Sequence, residues 1–115
     1  NVVCRNQDDH TKNIGFLMDR EGRWRLSPAF DVTYAYNPSG AWTRAHQMTL
    51  GLKSDGFERA DVTEPLAKAS GLGMADVEAI VDRTVEVASR WSEYADEAGV
   101  ADPSHRRIDE TFRML

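Results

Sequence analysis

The 115-residue sequence predicts a mainly α-helical fold with one antiparallel β-hairpin. Three observations support this fold class. In the second half of the chain, apolar residues recur every three or four positions, which is the period of an amphipathic helix. Near the start, two short apolar runs flank a glycine-containing turn, as in a hairpin. Hydrophobic residues make up 41% of the chain and charged residues 29%, which suits a globular domain with a core of its own.

The pattern of apolar and turn-forming residues changes near residue 53. Residues 1–53 alternate short apolar runs with Gly, Pro and Asn turns, whereas residues 54–115 have helical periodicity. We expect one compact unit in which the first segment carries the candidate site and the second is a helical scaffold. A polar loop that begins at Asn6 needs structural elements on both sides to hold it still. The chain is therefore expected to be the C-terminal piece of a longer protein.

Charge and cysteine content narrow the functional classes. The formal net charge is −5, which disfavours a general binder of nucleic acid or of membrane surfaces. The single cysteine, Cys4, lies in an apolar run and is expected to be a buried structural thiol, which suits a reducing cytosol. No stretch approaches the roughly 20 apolar residues needed to span a bilayer, so no membrane association is expected.

The hairpin is predicted from residues 14–18 and 23–26, which flank the turn at residues 19–22. Because an antiparallel hairpin returns the chain to its starting level, Asp31 is expected to lie beside Asn13.

The segment that follows the hairpin is predicted to be a loop with aromatic anchors at Tyr34, Tyr36 and Trp42. These rings either pack the loop onto the core or stack on a substrate, and packing is the favoured interpretation. Residues 47–52 alternate enough to predict one further short extended piece.

The first helix is predicted to start with the Asp61-x-x-Glu64 spacing of a capping box, with Pro65 in its first turn. It should end near Ser70, where Gly71 can adopt the left-handed conformation of a C-terminal cap.

A long helix is predicted over residues 74–98, with Gly99 as its end. Its apolar face comprises Val77, Val81, Val85, Ala88, Trp91 and Ala95. A last helix is predicted with Asp102 as N-cap and Pro103 at its first position. The apolar stripe of this helix would be Ile108, Phe112 and Leu115.

The polar loop Asn6–Asn13 reads NQDDHTKN and contains the groups that phosphoryl transfer requires. One carboxylate must orient the attacking hydroxyl and accept its proton, hard oxygen ligands must hold a magnesium ion, and a cation should approach the transferred phosphoryl group. Asp8, Asn13, Asp31 and Lys12 can supply these parts. The five-residue separation of Asp8 and Asn13 equals that of the base and the metal-binding Asn in the catalytic loop of protein kinases.

Residues 6–15 and 26–32 together resemble the signature of the HipA-like serine/threonine kinases, the toxin components of bacterial toxin–antitoxin pairs. The resemblance lies in the pattern Asn-x-Asp-x-His-x-Lys-Asn followed by Pro-x-x-Asp. The segment around Met48 and the helical tail are also similar to that family's C-terminal region. The resemblance implies that the chain is part of the helical C-terminal lobe of a kinase-like fold.

The resemblance also implies roles for individual residues. Asp8 would be the catalytic base, and Asn13 and Asp31 would hold Mg²⁺ against the phosphates of ATP. Lys12 would stabilise the transferring phosphoryl group. His10 would fix the loop by hydrogen bonding, with a direct catalytic role as the alternative.

Two further loop residues have open or supporting roles. Asp9 is either a solvated neighbour of the base or a partner for Lys12 or Arg5. Asn6 is expected to pin the loop backbone and not to contact substrate.

The sequence departs from a complete kinase in one large respect. It contains no glycine-rich nucleotide loop and no recognisable lysine–glutamate pair, which a missing N-terminal lobe would supply along with most of the ATP pocket. The chain alone is therefore expected to be inactive. The resemblance implies a protein substrate and an antitoxin partner with a helix-turn-helix fold, so that DNA would be reached only through the antitoxin.

Three other interpretations remain open. A metal-dependent phosphohydrolase or nuclease would use Asp8, Asp9, His10 and Asp31 as ligands. A non-catalytic helical module over residues 61–115 would dock a partner protein. The polar loop could also be a charged surface loop without function.

Overall fold

In a computed structural model, which describes residues 1–115, the chain folds into four α-helices and one two-stranded hairpin. In chain order the elements are β1 (Phe16–Met18), β2 (Trp24–Leu26), α1 (Arg59–Ser70), α2 (Met74–Ser89), α3 (Trp91–Glu97) and α4 (Asp102–Asp109), and a 3₁₀ turn at Thr11–Asn13 precedes β1. The predicted fold class, mainly helical with one antiparallel hairpin, is confirmed. No helix of the chain combines the length and the apolar character that crossing a membrane requires.

The hairpin forms because its turn is fixed by Asp19 and Gly22. The Asp19 carboxylate accepts hydrogen bonds from the backbone N–H groups of Glu21 (3.0 Å) and Arg23 (2.9 Å), and the Arg23 N–H bond is the main cause of the lowered pKa of Asp19. Gly22 adopts the left-handed φ of 81° that the turn requires. The paired residues are Phe16 with Leu26, Leu17 with Arg25 and Met18 with Trp24.

Helix α1 begins at Arg59, one turn earlier than the Asp61-x-x-Glu64 spacing predicts. The backbone N–H of Glu58 donates to the Asp61 carboxylate at 2.8 Å, so Asp61 serves as the third helical residue of the cap and the predicted box is wrong. Pro65 consequently lies inside the helix and not in its first turn. The predicted end is confirmed, because Gly71 has a φ of 72° and its N–H donates to the Ala67 carbonyl.

The single long helix predicted over residues 74–98 is wrong, because the chain bends at Arg90. Arg90 has a ψ of 16°, which separates α2 from α3, and its guanidinium pairs with Glu93 at 2.6 Å. The bend turns Trp91 toward α4, where its indole N–H donates to the His105 carbonyl at 3.1 Å. Packing against α4 therefore outweighs the continuous helical periodicity.

The predicted apolar face is nevertheless confirmed. Its residues Val77, Val81, Ala88 and Ala95 are buried, and Val85 and Trp91 are partly buried. Five other buried residues are polar or charged: Asn6, Gln7, Asp9, His46 and Thr63. Three of these five, Asn6, Gln7 and Asp9, belong to the polar loop, so the first half of the loop is anchored in the interior while Thr11 and Lys12 are exposed.

The predictions for the C-terminal part are only partly correct. Ala101, and not Asp102, is the N-cap of α4, and Pro103 is the second helical residue. The helix ends at Asp109, so of the predicted apolar stripe only Ile108 lies in α4, and Phe112 and Leu115 lie beyond its end. Phe112 still packs on the ring of Trp91, with 5.7 Å between centroids.

Residues 34–53 form a loop held to the body of the domain at several points. Tyr34 donates to or accepts from the Thr111 hydroxyl at 3.1 Å, and Tyr36 lies 4.3 Å below the Arg5 guanidinium. Trp42 is 74% exposed and is not the anchor that was expected. The extended piece predicted over residues 47–52 is wrong, because only the isolated bridge between Leu50 and Lys53 forms.

Candidate functional site

The polar loop ends in a tight turn that directs Asn13 back over the loop. The Asn13 N–H donates to the His10 carbonyl at 3.0 Å, and the Ile14 N–H donates to the Thr11 carbonyl at 3.3 Å. The hairpin then starts at Phe16 and brings the chain back, with the Ser27 N–H donating to the Gly15 carbonyl at 2.9 Å. Asp31 follows four residues after this contact and is thereby returned to the loop.

Asn13 and Asp31 meet, as the hairpin geometry predicts. The Asn13 Nδ2 donates to Asp31 Oδ2 at 2.7 Å and to the Asp8 carbonyl at 2.9 Å. Because a backbone carbonyl only accepts, the contact with Asp8 fixes which end of the amide is nitrogen. The amide oxygen Oδ1 makes no hydrogen bond within the chain and is available as a ligand.

Asp31 is held in an unusual backbone conformation. Its φ is 53°, in the left-handed region that Asp tolerates better than most residues, at a cost of about 1 kcal/mol. Asn6, which is 4% exposed, donates from Nδ2 to the Asp31 carbonyl at 2.9 Å. The contact holds the backbone at Asp31, outside the polar loop, and not the loop backbone that Asn6 was expected to pin.

The charged ends of Asp8 and Lys12 make no hydrogen bond and no ion pair within the chain. The Asp8 side chain is partly exposed and Lys12 is exposed. Of the three lysines, only Lys53 forms an ion pair, with Asp61. Lys12 and Asp8 therefore make no structural contacts with their charged groups. A cation and a carboxylate that act on a substrate need to be free in this way.

The His10 side chain does not make the loop-fixing hydrogen bond that was expected of it. Its Nδ1 atom is buried and has no hydrogen-bond partner. Both amide atoms of the fully buried Gln7 and the Asn6 Oδ1 atom are also without partners. Unpaired polar atoms are thus concentrated in the loop, which is typical of functional sites.

The interpretation of Asp9 requires correction, because neither a solvated position nor a contact with Lys12 or Arg5 is observed. Asp9 is buried and accepts hydrogen bonds from His46 Nδ1 at 2.7 Å and from the Gln47 N–H at 2.7 Å. Arg5 instead donates from Nε to the Thr111 carbonyl at 2.8 Å. Asp9 therefore ties the polar loop to residues 46–48.

The site fits a magnesium ion better than a softer metal. Asn13 Oδ1 and the Asp31 carboxylate are hard oxygen donors on neighbouring side chains, which is the small set that magnesium takes when phosphates supply further ligands. No three His, Cys, Asp or Glu side chains form a group that could hold a metal. The four-ligand arrangement of Asp8, Asp9, His10 and Asp31 that a hydrolase or nuclease needs is not present.

His46 and Arg113 are the contacts that sequence reasoning missed. His46 Nε2 lies 3.0 Å from Arg113 Nη1, and burial is the main reason why the pKa of His46 is lowered. Burial likewise lowers the pKa of Arg113. Neither residue belongs to a recognisable motif, and they lie 37 and 104 positions from Asp9, so the sequence carries no signal for this cluster.

Comparison with known proteins identifies the family. A family model described as the HipA-like C-terminal domain matches residues 1–92, which include the polar loop, the hairpin, α1 and α2. No curated protein and no solved structure matches the chain. The matched residues cover most of the chain, and the chain therefore belongs to the HipA-like C-terminal domain family.

Proposed function

We propose that the chain is the C-terminal part of a HipA-like serine/threonine protein kinase that transfers the γ-phosphate of ATP to a protein hydroxyl. The observation that carries this proposal is the contact of Asn13 with both the Asp31 carboxylate and the Asp8 carbonyl. It brings the backbone of Asp8, the proposed base, and the side chains of Asn13 and Asp31, the proposed ligands, into one hydrogen-bonded unit. Membership of the HipA-like family supports the same reaction class.

Each residue has a defined task in this reaction. Asp8 orients the substrate hydroxyl and accepts its proton as the phosphoryl group is attacked. Asn13 Oδ1 and the Asp31 carboxylate hold Mg²⁺, which neutralises charge on the ATP phosphates when it is bound. Lys12 stabilises the negative charge of the transferring group.

The nucleotide pocket requires groups outside this sequence. The chain supplies a base and metal ligands, but it contains no glycine-rich loop to cover the phosphates. We therefore expect no phosphotransfer by the 115 residues alone, and activity in the longer kinase that contains them.

The partners proposed for that kinase follow the family. They are a protein substrate and an antitoxin with a helix-turn-helix fold, through which DNA is contacted indirectly. The net charge of −5 supports an indirect contact, because an acidic surface is repelled by DNA phosphates. Capture of the cognate antitoxin by the 115-residue chain would test whether its docking surface includes these residues.

The proposed reaction is tested by substitutions in the longer kinase. Asp8→Asn preserves shape but removes the base, so phosphotransfer should fall about 10²- to 10⁴-fold. Asn13→Ala and Asp31→Asn should raise the Mg²⁺ concentration needed for half-maximal rate. Transfer of labelled γ-phosphate to protein is the measurement.

Asp109→Asn is the matched control, because Asp109 is an exposed carboxylate on α4 that makes no ion pair. It should leave the rate unchanged. Equal rates for Asp8→Asn and Asp109→Asn would refute the proposal.

A further inference from the structure

The carboxylate next to the proposed base is buried and fully engaged. The Asp9 side chain is 8% exposed, and it accepts hydrogen bonds from His46 Nδ1 and from the N–H groups of Gln47 and Met48, the last at 3.4 Å. A side chain held in this way cannot face a substrate. Its contacts must act on the loop itself.

His46 has one defined tautomer in this arrangement. Its side chain is 1% exposed, and the Arg113 guanidinium, which can only donate, lies 3.0 Å from Nε2. Nε2 must therefore accept, which leaves the ring proton on Nδ1, where it points at Asp9. The ring also packs edge-on against Phe57, with 5.5 Å between centroids, so its orientation is fixed.

The peptide between Asp8 and Asp9 is consequently held from both sides. Asn13 Nδ2 binds the Asp8 carbonyl, and His46 binds the Asp9 side chain. Burial alternates along the loop, with Gln7 and Asp9 buried and Asp8 and His10 partly exposed. Anchoring Asp9 inward therefore directs the Asp8 carboxylate outward.

We propose that His46 is a positioning residue of the site and that, through Asp9, it fixes the direction of the Asp8 carboxylate. This inference rests on the proposed kinase function for its catalytic consequence, but the positioning itself is a property of the loop. His46 does not contact the reacting atoms. It acts across 37 residues of sequence from outside the polar loop.

Two substitutions of His46 separate positioning from general packing. In His46→Asn the side-chain amide nitrogen stands near the place of Nδ1, so it keeps the donor to Asp9 but loses the acceptor for Arg113. In His46→Gln the longer side chain reaches the place of Nε2, so it keeps an acceptor for Arg113 but loses the donor to Asp9. A merely structural histidine would be replaced about equally well, or equally badly, by both.

The first measurement uses the 115-residue chain and needs no activity. The NMR resonances of the Asn13 side-chain amide report on its bonds to the Asp8 carbonyl and to Asp31. We expect these resonances to shift and broaden in His46→Gln and to stay near their wild-type positions in His46→Asn. Unchanged resonances in His46→Gln, or equal changes in the two variants, would overturn the positioning role.

The second measurement uses the longer kinase. A misdirected base should lower kcat for phosphotransfer about tenfold to a hundredfold in His46→Gln, with the KM for ATP unchanged, and His46→Asn should restore most of the rate. A wild-type kinase without phosphotransfer activity would refute the proposed function and leave the NMR result to decide the positioning role. Full activity of His46→Gln would overturn the inference while the function stands.

Discussion

Asp8 and Asp9 are identical side chains that the fold uses in different ways. Asp9 is buried and accepts three hydrogen bonds, whereas Asp8 keeps a partly exposed carboxylate and is held only through its carbonyl. A carboxylate that accepts the proton of a substrate must be free of such contacts, and one that braces a loop must have them. The difference in burial between Asp8 and Asp9 is the one that their proposed roles require.

His46 should make the stability of the domain depend on pH. Burial and the nearby Arg113 charge lower its pKa from 6.5, although the Asp9 carboxylate opposes them. Between the lowered pKa of the native state and pH 6.5, His46 is therefore mostly neutral in the native state and mostly protonated in the unfolded chain. The stabilisation is complete above pH 6.5 and is lost as the pH falls below that value toward the lowered pKa of the native state.

Urea unfolding between pH 7.5 and 5.5 measures this dependence. The free energy of unfolding should fall as the pH falls in the wild type and should be flatter in His46→Asn, which has no imidazole at position 46. Parallel pH profiles for the two proteins would contradict the expectation.

The site was predictable in part because one of its contacts depends on local geometry. Asn13 and Asp31 are joined by a short hairpin, and a hairpin returns the chain to its starting level whatever the rest of the fold does. The contact between Asp9 and His46 has no such local cause. It depends on how residues 46–48 pack against the loop, which no pattern in the sequence encodes.

The helices show the same distinction between local and tertiary causes. Gly71 was predictable as the end of α1, because a left-handed cap is a local requirement that glycine meets without strain. The break at Arg90 was not predictable, because the apolar period continues through it from Ala88 to Ala95. The break reflects the contact of Trp91 with α4.

The buried face of α2 should dominate the stability of the helical segment. Val77 is fully buried, so Val77→Ala removes two methyl groups from the core and leaves a cavity. We expect the free energy of unfolding to fall by about 2 kcal/mol. Val87 lies on the same helix but is 39% exposed, and Val87→Ala should cost under about 0.5 kcal/mol.

Urea denaturation of the two variants and the wild type measures this difference directly. Both substitutions make the same chemical change in one helix, so helix propensity cancels between them. Equal losses would show that the face predicted from the apolar period does not form the core.

At the scale of the whole molecule, the two ends of the chain are tied together beside the site. The Arg113 N–H donates to the Val3 carbonyl at 3.0 Å, and Arg113 Nη1 donates to the Val2 carbonyl at 3.1 Å. The same guanidinium contacts His46 and forms an ion pair with Asp55. Arg113 thus joins the start of the chain, the loop after the hairpin and the C-terminal segment.

Substitution of Arg113 tests this joint. The side chain is only 9% exposed, so Arg113→Ala leaves the Val2 carbonyl and His46 Nε2 without their donor and removes one of the two arginines that pair with Asp55. We expect a loss of about 2–3 kcal/mol in the free energy of unfolding, because hydrogen bonds to charged groups are worth more than neutral ones.

Arg106→Ala is the matched control, since Arg106 is an exposed arginine of α4 without an ion pair, and it should change stability by less than about 0.5 kcal/mol. If urea denaturation gave the two variants the same free energy of unfolding, the contacts of Arg113 would contribute no more to stability than an exposed arginine does, and the proposed joint between the chain ends would be refuted. A large loss in Arg113→Ala that Arg113→Lys does not recover would assign the effect to the planar guanidinium, because an ammonium group cannot reach three acceptors on separate segments at once.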